Sequence, residues 1–459
     1  DGSGSVSGSV VETSSVELTS AGGRAALTNV TSITYKAQSD GEDLTGVTFD
    51  ESVKPVHFDL DGHTGVLLKV AQAEDKTITK TDSGTYFIKD TFSNINTAAD
   101  QTGGAAADDG KFKALFAANE VQITDYAKTQ SYARLAPTNS QVVAAFAAAN
   151  GGSGTPSLAD VKVTVAADTT LNESEAGNAN NITKVDLASN ASLTVTADAF
   201  DTSTNEWSSL TTLTGLGGTN NLVITAGTSG ATVDLFNINT LTNLDAVTIA
   251  GTTGSDTINL SPSLTTDGIT SIDLKSDTAS DKIYFGVSET DYKASGSLGY
   301  TSVTNFNNSH DRVGLYYYDF SADSGSPAKA INKLKRTGST SGASTVTADR
   351  TLVEDDTNFN MTSSISDFDA ASQIKTVIAE GVSTTTTAAN RLMFAHYVHD
   401  ESGSGTNYAL VNSADLTGVS GQSDLAATTS PDFEVVGVAK LVGVSAGALD
   451  LMSNFTQTK

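Results

Sequence analysis

Two acidic turns within residues 251–284 carry the side chains of this sequence that are best suited to chemistry. The first, GTTGSDTIN from Gly251, combines glycines that permit a tight turn with the carboxylate of Asp256 and an apolar residue that starts a strand. The second, SDTASDKIY from Ser276, lacks the glycines but keeps Asp281 at the same place. Each turn therefore presents a carboxylate beside backbone carbonyls, a donor set that suits hard cations.

The spacing of the two aspartates predicts a calcium site. Asp256 and Asp281 are 25 residues apart (281−256 = 25), roughly one structural repeat, so their carboxylates are expected to stack on neighbouring turns. Calcium accepts about six to eight oxygen ligands, carboxylates and carbonyls together, and would relieve the repulsion between the two charges. Asp273 and Asp277 are the nearest further ligands. The alternative is an ordinary Gly-Ser-Asp turn before a strand.

The elements that must position these turns recur with a nearly constant period. Four stretches between residues 181 and 285 each contain a short apolar-alternating strand, a turn and a second strand. The anchors of their first strands are spaced by 28, 31 and 28 residues (Val185, Leu213, Leu244 and Ile272). Such a period is typical of stacked rungs, so we predict an all-β fold built around a parallel β-solenoid (β-helix).

Pattern changes along the chain predict four regions. They are an N-terminal β region of short strands (1–107), a small helical insertion with a linker (108–157), the β-solenoid rungs (158–300) and a C-terminal β domain (301–459). Because residue 1 is Asp rather than Met, we expect that an upstream portion has been cleaved or left out.

The helical insertion is predicted from apolar spacing. Apolar residues recur at helical intervals (Phe112, Leu115, Phe116, Val121, Ile123 and Tyr126). Ser140 is expected to cap a second helix that ends at Gly151-Gly152.

Composition restricts the classes of partner. The 459 residues include 26 basic and 53 acidic ones, a formal net charge of −27, which disfavours nucleic acid and anionic membranes and favours divalent cations. There is no cysteine, so disulfides and thiolate metal sites are excluded. No apolar run approaches the roughly 20 residues of a membrane helix, so we predict no membrane span.

No motif in the sequence predicts a catalytic site. The fragment Asp59-Leu-Asp61-Gly62 starts like an EF-hand loop, but position twelve is Val70 rather than Glu. His396 and His399 have a spacing that suits zinc on a helix, yet RLMFAHYVHD predicts a strand, on which the two face opposite sides. We therefore predict that the protein is not an enzyme.

With these residues in hand, the chain resembles RTX-like proteins that Gram-negative bacteria export by type I secretion, including self-assembling S-layer proteins. The resemblance lies in GTTGSDTINL, in VTNFNNSHDRVGL, in the absence of cysteine and in the final segment from NYALVNSADLTG to LDLMSNF. It covers about residues 181 to 459. The tandem nine-residue repeats of the family are missing, which favours larger rungs with ions at a few turns over a regular calcium β-roll.

The resemblance carries specific implications. It implies calcium binding by Gly251, Gly254 and Asp256, with Asp281 as a weaker match, and secretion information in the C-terminal region that ends at Phe455. It also implies a secreted protein at the bacterial cell surface. Its partners would be copies of itself in a two-dimensional lattice, and cell-surface polysaccharide or lipopolysaccharide.

Three functions compete at this stage. We rank first a calcium-dependent, self-assembling S-layer subunit, because low charge density and strand-forming residues suit a structural protein. An adhesin that presents residues 108–150 or Tyr316-Tyr317-Tyr318 to a glycan comes second. A polysaccharide-degrading β-helix enzyme comes third, because lysines are sparse across the predicted rungs and none is expected to cluster with acids (Lys184, Lys275 and Lys282).

Overall fold

The computed structural model describes the chain in segments, and every structural statement below refers to them. They are residues 10–13, 32–47, 57–74, 76–80, 83–100, 109–171, 181–196, 209–225, 230, 232–235, 238, 240–260, 270–286, 298–316, 332–336, 345–346, 351–355, 370–372, 383–384, 391–399, 406–415, 433–444 and 455–458. Tyr317, Tyr318 and residues 445–454 of the secretion-like end lie outside these segments.

Most of the described chain consists of strands in parallel sheets, with few helices. The all-β prediction is confirmed at this level. The chain divides into two compact units, one of residues 1–166 and 178–188 and the other of residues 167–177 and 189–459.

The first unit contains two sets of parallel strands. One set pairs in the order Val10–Thr13, Ser32–Lys36, His57–Asp59 and Thr77–Thr79. The other pairs in the order Val66–Leu68, Tyr86–Asp90, Glu120–Ile123, Asp160–Val165 and Lys184–Leu187.

Helices of the first unit interrupt these strands. The α-helices are Val70–Ala73, Phe92–Ala98, Asp109–Ala117 and Ser140–Ala149, and Ala133–Leu135 is a 3-10 turn.

Two sequence predictions about these helices are corrected by the structure. Helices Val70–Ala73 and Phe92–Ala98 lie in the region expected to contain strands alone. Conversely, Val121 and Ile123 belong to a strand rather than a helix, because Glu120–Ile123 fits between two strands whose inward side chains are also apolar.

The ends of the second predicted helix are almost as expected. Its N-cap is Asn139 rather than Ser140, since the Asn139 side chain accepts a hydrogen bond from Gln141 N at 2.8 Å. Gly151 and Gly152, both at positive φ, follow the helix as predicted.

The second unit contains a nine-stranded and a five-stranded sheet. The larger runs Arg391–His399, Thr406–Asp415, Phe433–Val442, Thr301–Thr304, Ser271–Asp273, Ala246–Ala250, Asn221–Thr225, Leu193–Thr196 and Thr169–Leu171. The smaller runs Thr232–Asp234, Thr257–Leu260, Lys282–Gly286, Arg312–Tyr316 and Phe455–Thr458. Separate parallel pairs join Thr212–Gly215 to Thr240–Thr242, Asn332–Arg336 to Thr351–Asp355, and Thr345–Val346 to Ser383–Thr384.

Only the first three strands of the nine-stranded sheet pair antiparallel to one another. They confirm the strands predicted from RLMFAHYVHD, TNYALVNS and FEVVGVAKLVGV, and His396 and His399 lie on the first of them.

Pairing partners in the parallel sheets lie about one predicted repeat apart. Ile249 pairs with Ile272 (272−249 = 23) and Ile272 with Val303 (303−272 = 31). The predicted alignment of first strands is partly wrong, because Leu213 pairs with Leu241 and Leu244 lies in a turn between strands. Ile272 belongs to a different sheet from Leu213, so the period is right in length while the anchors are mixed.

The core of the second unit consists of apolar side chains stacked in register. In the five-stranded sheet, Ile258, Ile283 and Val313 are successive partners, and all are at most 1% exposed. Leu260 and Phe285 form the next row, also fully buried. Each such side chain stabilises the fold by about 1.5–3 kcal/mol through burial.

No helix in the described residues is long and apolar enough to cross a membrane.

We expect Phe285→Ala to lower the free energy of unfolding by about 3–5 kcal/mol, because it leaves a cavity in a stacked row that cannot collapse. Urea denaturation followed by circular dichroism measures this. Leu216→Ala is the control, since Leu216 is 56% exposed and its truncation should change stability by less than about 0.5 kcal/mol. Equal losses in the two variants would contradict the assigned core.

Candidate functional site

Three buried aspartates stand at the starts of three neighbouring strands. Asp256, Asp281 and Asp311 immediately precede Thr257–Leu260, Lys282–Gly286 and Arg312–Tyr316. Thr257 pairs with Lys282 and Lys282 with Arg312, so the aspartates are in register from strand to strand. All three are at most 2% exposed. We call this set the aspartate stack.

Backbone hydrogen bonds hold the aspartate stack together in one direction. Asp256 N donates to Asp281 Oδ1 at 2.8 Å, and Asp281 N donates to Asp311 Oδ1 at 3.0 Å. Each carboxylate thus accepts the N–H of the aspartate one strand earlier in the chain. A strand start buried without such an acceptor would leave an N–H unsatisfied.

The turn before each aspartate adds further contacts. The residue four positions earlier is Thr252, Asp277 or Asn307. Thr252 donates to both oxygens of Asp256, from N to Oδ2 at 2.6 Å and from Oγ1 to Oδ1 at 2.7 Å. In the last turn, Asn307 N donates to Asp311 Oδ2 at 2.6 Å.

The middle turn differs because its residue is itself acidic. Asp277 Oδ1 accepts a hydrogen bond from Ala279 N at 2.7 Å, while Asp277 Oδ2 is buried and has no hydrogen-bond partner. Among the described residues, Asp281 accepts a single hydrogen bond, at Oδ1, and forms no ion pair. The middle turn therefore concentrates negative charge that hydrogen bonds do not fully compensate.

Burial and mutual repulsion raise the pKa of these carboxyls. Burial raises the pKa of Asp281 to about 7; the charges of Asp311, Asp256 and Asp277 add to the rise, against the opposing hydrogen bond from Asp256 N. Burial also raises the pKa of Asp311, with Asp277 adding to the effect, although N–H donors and His310 counteract it.

The nearest basic side chains in sequence turn away from the stack. Lys282 is exposed to solvent. Arg312 Nη1 donates to the backbone carbonyls of His310 and Asp311 rather than to a carboxylate. The alternation of a strand explains this, since the residue after each inward aspartate faces outward.

The two predicted glycines shape the first turn. Gly251 N donates to the Asp273 carbonyl at 2.6 Å, and a Cβ at Gly251 would lie 2.8 Å from Asp256 Oδ2. Gly254 N donates to Thr252 Oγ1 at 2.9 Å, and its carbonyl accepts from the same hydroxyl at 3.2 Å. Both glycines thus support the hydrogen bonds that surround Asp256.

The side chain of Asp273 belongs to a different arrangement. Lys275 Nζ donates to Asp273 Oδ2 and Asn305 Nδ2 donates to Asp273 Oδ1, both at 2.7 Å. Although partial burial acts in the opposite sense, these contacts lower the pKa of Asp273. Of the predicted ligands, the structure therefore brings Asp256, Asp277 and Asp281 together and leaves the Asp273 carboxylate paired with a lysine.

Asp311 is the member of the stack that sequence reasoning missed. The signal was present, because FNNSHDRVGL repeats the spacing of GTTGSDTINL from the polar residue through the aspartate to the apolar one. In the described part of the chain, no three His, Cys, Asp or Glu side chains converge as a ready-made metal centre. What fits a cation here is the buried, uncompensated charge around Asp277 and Asp281.

Comparison of the chain with models of protein families, with curated proteins and with solved structures finds no match. The resemblance to RTX-like proteins therefore stays a prediction, and function has to be argued from the residues themselves.

A second group of charged residues lies in the first unit. Lys184 Nζ lies 2.7 Å from both Glu120 Oε2 and Asp160 Oδ2, and Lys162 Nζ lies 3.2 Å from Asp186 Oδ2 and 3.7 Å from Glu120 Oε1. The expectation that no lysine of the rungs clusters with acids is therefore wrong. Pairing of residues across three parallel strands produces the cluster, which spacing along the chain does not reveal.

The Lys184 cluster is built to neutralise charge rather than to transfer protons. Glu120 is 5% exposed and depends on its partners to remain ionised. Although partial burial alone has the opposite effect, hydrogen bonds to Asp160 and Glu120 raise the pKa of Lys184, so the amine stays protonated.

We expect Lys184→Met to lower the free energy of unfolding by about 1–3 kcal/mol, because buried Glu120 loses its shortest charged contact. Denaturation with urea at neutral pH measures this. Lys113→Met in the same unit, where no ion pair is removed, should have a much smaller effect. A Lys184 variant as stable as the Lys113 variant would contradict the assigned role.

The raised pKa of Asp281 predicts how stability depends on pH. Its folded pKa of about 7 exceeds the unfolded value of 3.8, so between pH 4 and 7 the native state holds a proton that the unfolded state has released. In EDTA, stability should therefore fall as pH rises through this window, by up to about 4 kcal/mol from this group.

The matched variants for this pH profile are Asp281→Asn and Asp273→Asn. Asp281→Asn should flatten the fall, because the isosteric amide keeps an acceptor for Asp256 N without a titrating proton. The pKa of Asp273 is lowered, so its contribution is lost only as pH falls below about 4, and Asp273→Asn should leave the slope between pH 4 and 7 unchanged. An unchanged slope in Asp281→Asn would contradict the assignment.

Proposed function

We propose that the protein is an extracellular structural protein, a subunit of a calcium-dependent, self-assembling S-layer exported by type I secretion. The observation that carries the proposal is the aspartate stack. A buried row of like charges is unfavourable by itself and becomes favourable when a cation binds, which links folding to the surrounding calcium concentration.

We also propose that the strands form a parallel β-solenoid. Between Asn221 and Tyr316, successive strands alternate for most of the chain between the nine-stranded and the five-stranded sheet. Partners within each sheet are 23 to 31 residues apart in the pairs around Ile249, Ile272 and Val303. Such alternation is what a chain makes when it winds through one rung per repeat.

Calcium supports this function through its distribution. Inside a cell it is scarce, and the acidic stack would oppose folding before export. Outside, where calcium is abundant, carboxylates of the stack would bind it and the rungs would close, so that binding free energy becomes folding free energy. The stack would supply carboxylate oxygens, and backbone carbonyls and water would complete the ion's ligands.

Calcium added to EDTA-treated protein should produce ordered two-dimensional sheets, visible by negative-stain electron microscopy, together with a gain of β-sheet signal in circular dichroism. Magnesium at the same concentration is the control, since it demands a stricter octahedral geometry and should be less effective.

Soluble monomers at every calcium concentration would overturn the assembly proposal. Glycan binding without assembly would favour the adhesin instead, with cell-surface polysaccharide or lipopolysaccharide as its partner. Release of reducing ends from a polysaccharide would favour the enzyme.

A further inference from the structure

We infer that the calcium ion is held by Asp277, Asp281 and Asp311 rather than by the Gly251–Asp256 turn. The inference rests on the calcium dependence proposed above and specifies its site. It is unexpected from the sequence, because the first turn is the one that looks most like a calcium motif, while the second has no glycine and the third has no acidic residue besides Asp311.

The first argument is that Asp256 is already satisfied. Both of its oxygens accept hydrogen bonds from Thr252, at 2.6 and 2.7 Å, and Thr252 is itself 3% exposed. Thr252 occupies the position where a second glycine would complete the motif. Its hydroxyl gives Asp256 a neutral donor, so an ion at this turn would have to displace two short hydrogen bonds.

The second argument is that the middle turn holds oxygens without donors. Asp277 Oδ2 is buried and unpartnered, and Asp281, 1% exposed, receives a hydrogen bond at Oδ1 and none at Oδ2 from the described residues. An unmatched buried acceptor is strongly unfavourable, and more so when it is charged. A divalent cation between these carboxylates would satisfy them together.

The third argument is that Asp277 lies close to both neighbouring carboxylates. Its charge raises the pKa of Asp281 and that of Asp311, so the three groups share one electrostatic environment. Asn307 Nδ2 also donates to the Asp277 carbonyl at 3.0 Å, which ties the middle turn to the last one.

No basic side chain competes with an ion at this place. Lys282 is exposed, and the Arg312 guanidinium is directed to backbone carbonyls. His310 adjoins Asp311 and lowers its pKa, which makes it the one nearby group among the described residues whose protonation would oppose binding. Calcium, with its flexible coordination, suits carboxylates that already serve backbone N–H groups better than magnesium does.

The test is calcium binding measured by isothermal titration calorimetry on the full chain and on three variants. Asp277→Asn and Asp311→Asn should weaken the calcium Kd by at least about tenfold, and Asp256→Asn should change it by less than about threefold. Asp277→Asn should fold normally, because the equivalent position of the last turn is already Asn307. Circular dichroism at pH 5, where protonation replaces the cation, checks the fold of every variant.

The outcomes separate this inference from the proposal on which it rests. Absence of calcium binding by the unaltered chain would overturn the calcium dependence itself. Binding that is lost in Asp256→Asn but kept in Asp277→Asn would overturn the inference and leave calcium dependence standing. Binding unchanged in all three variants would also overturn the inference, because the ion would then lie elsewhere.

Discussion

In-register parallel pairing is the constraint on which the rest of this structure depends. It places each side chain directly beside its counterpart on the next strand, so whatever a position contains is repeated along the sheet. For apolar residues such as Ile258, Ile283 and Val313 this repetition is favourable, because each contact removes further surface from water. For charged residues the same repetition is a liability, since like charges are brought to neighbouring strands.

The two units meet that liability in different ways. Around Glu120, lysines alternate with carboxylates across three strands, and every buried charge has a partner of opposite sign. The aspartate stack repeats one sign and relies on backbone N–H donors, which leave Asp277 and Asp281 incompletely satisfied. The first arrangement is complete within the protein, whereas the second becomes complete with a proton or a cation. A site that depends on its surroundings is a better candidate for function than one that is already neutral.

Sequence reasoning identified the β class, the length of the period and the C-terminal strands, because alternation and repeat length are written locally. It failed where pairing partners decide. Leu244 looks like a strand anchor but lies in a turn, and Val121 with Ile123 fits helical spacing yet forms a strand between two others. Asp311 escaped notice because its turn lacks glycine, and the Lys184 cluster joins residues that are 64 positions apart in the case of Glu120. Contacts between distant strands have no signature in a single segment.

The hydrogen bonds of the aspartate stack all run one way, and this gives the chain a temporal order. Asp256 N depends on Asp281, and Asp281 N on Asp311, so each strand start is satisfied by a residue that is synthesised and emerges later. A chain that appears from its N-terminus cannot finish this part of the fold until the last of the three aspartates has arrived. The stack therefore acts as a built-in delay, and the earlier strands stay open while the later ones are still in transit.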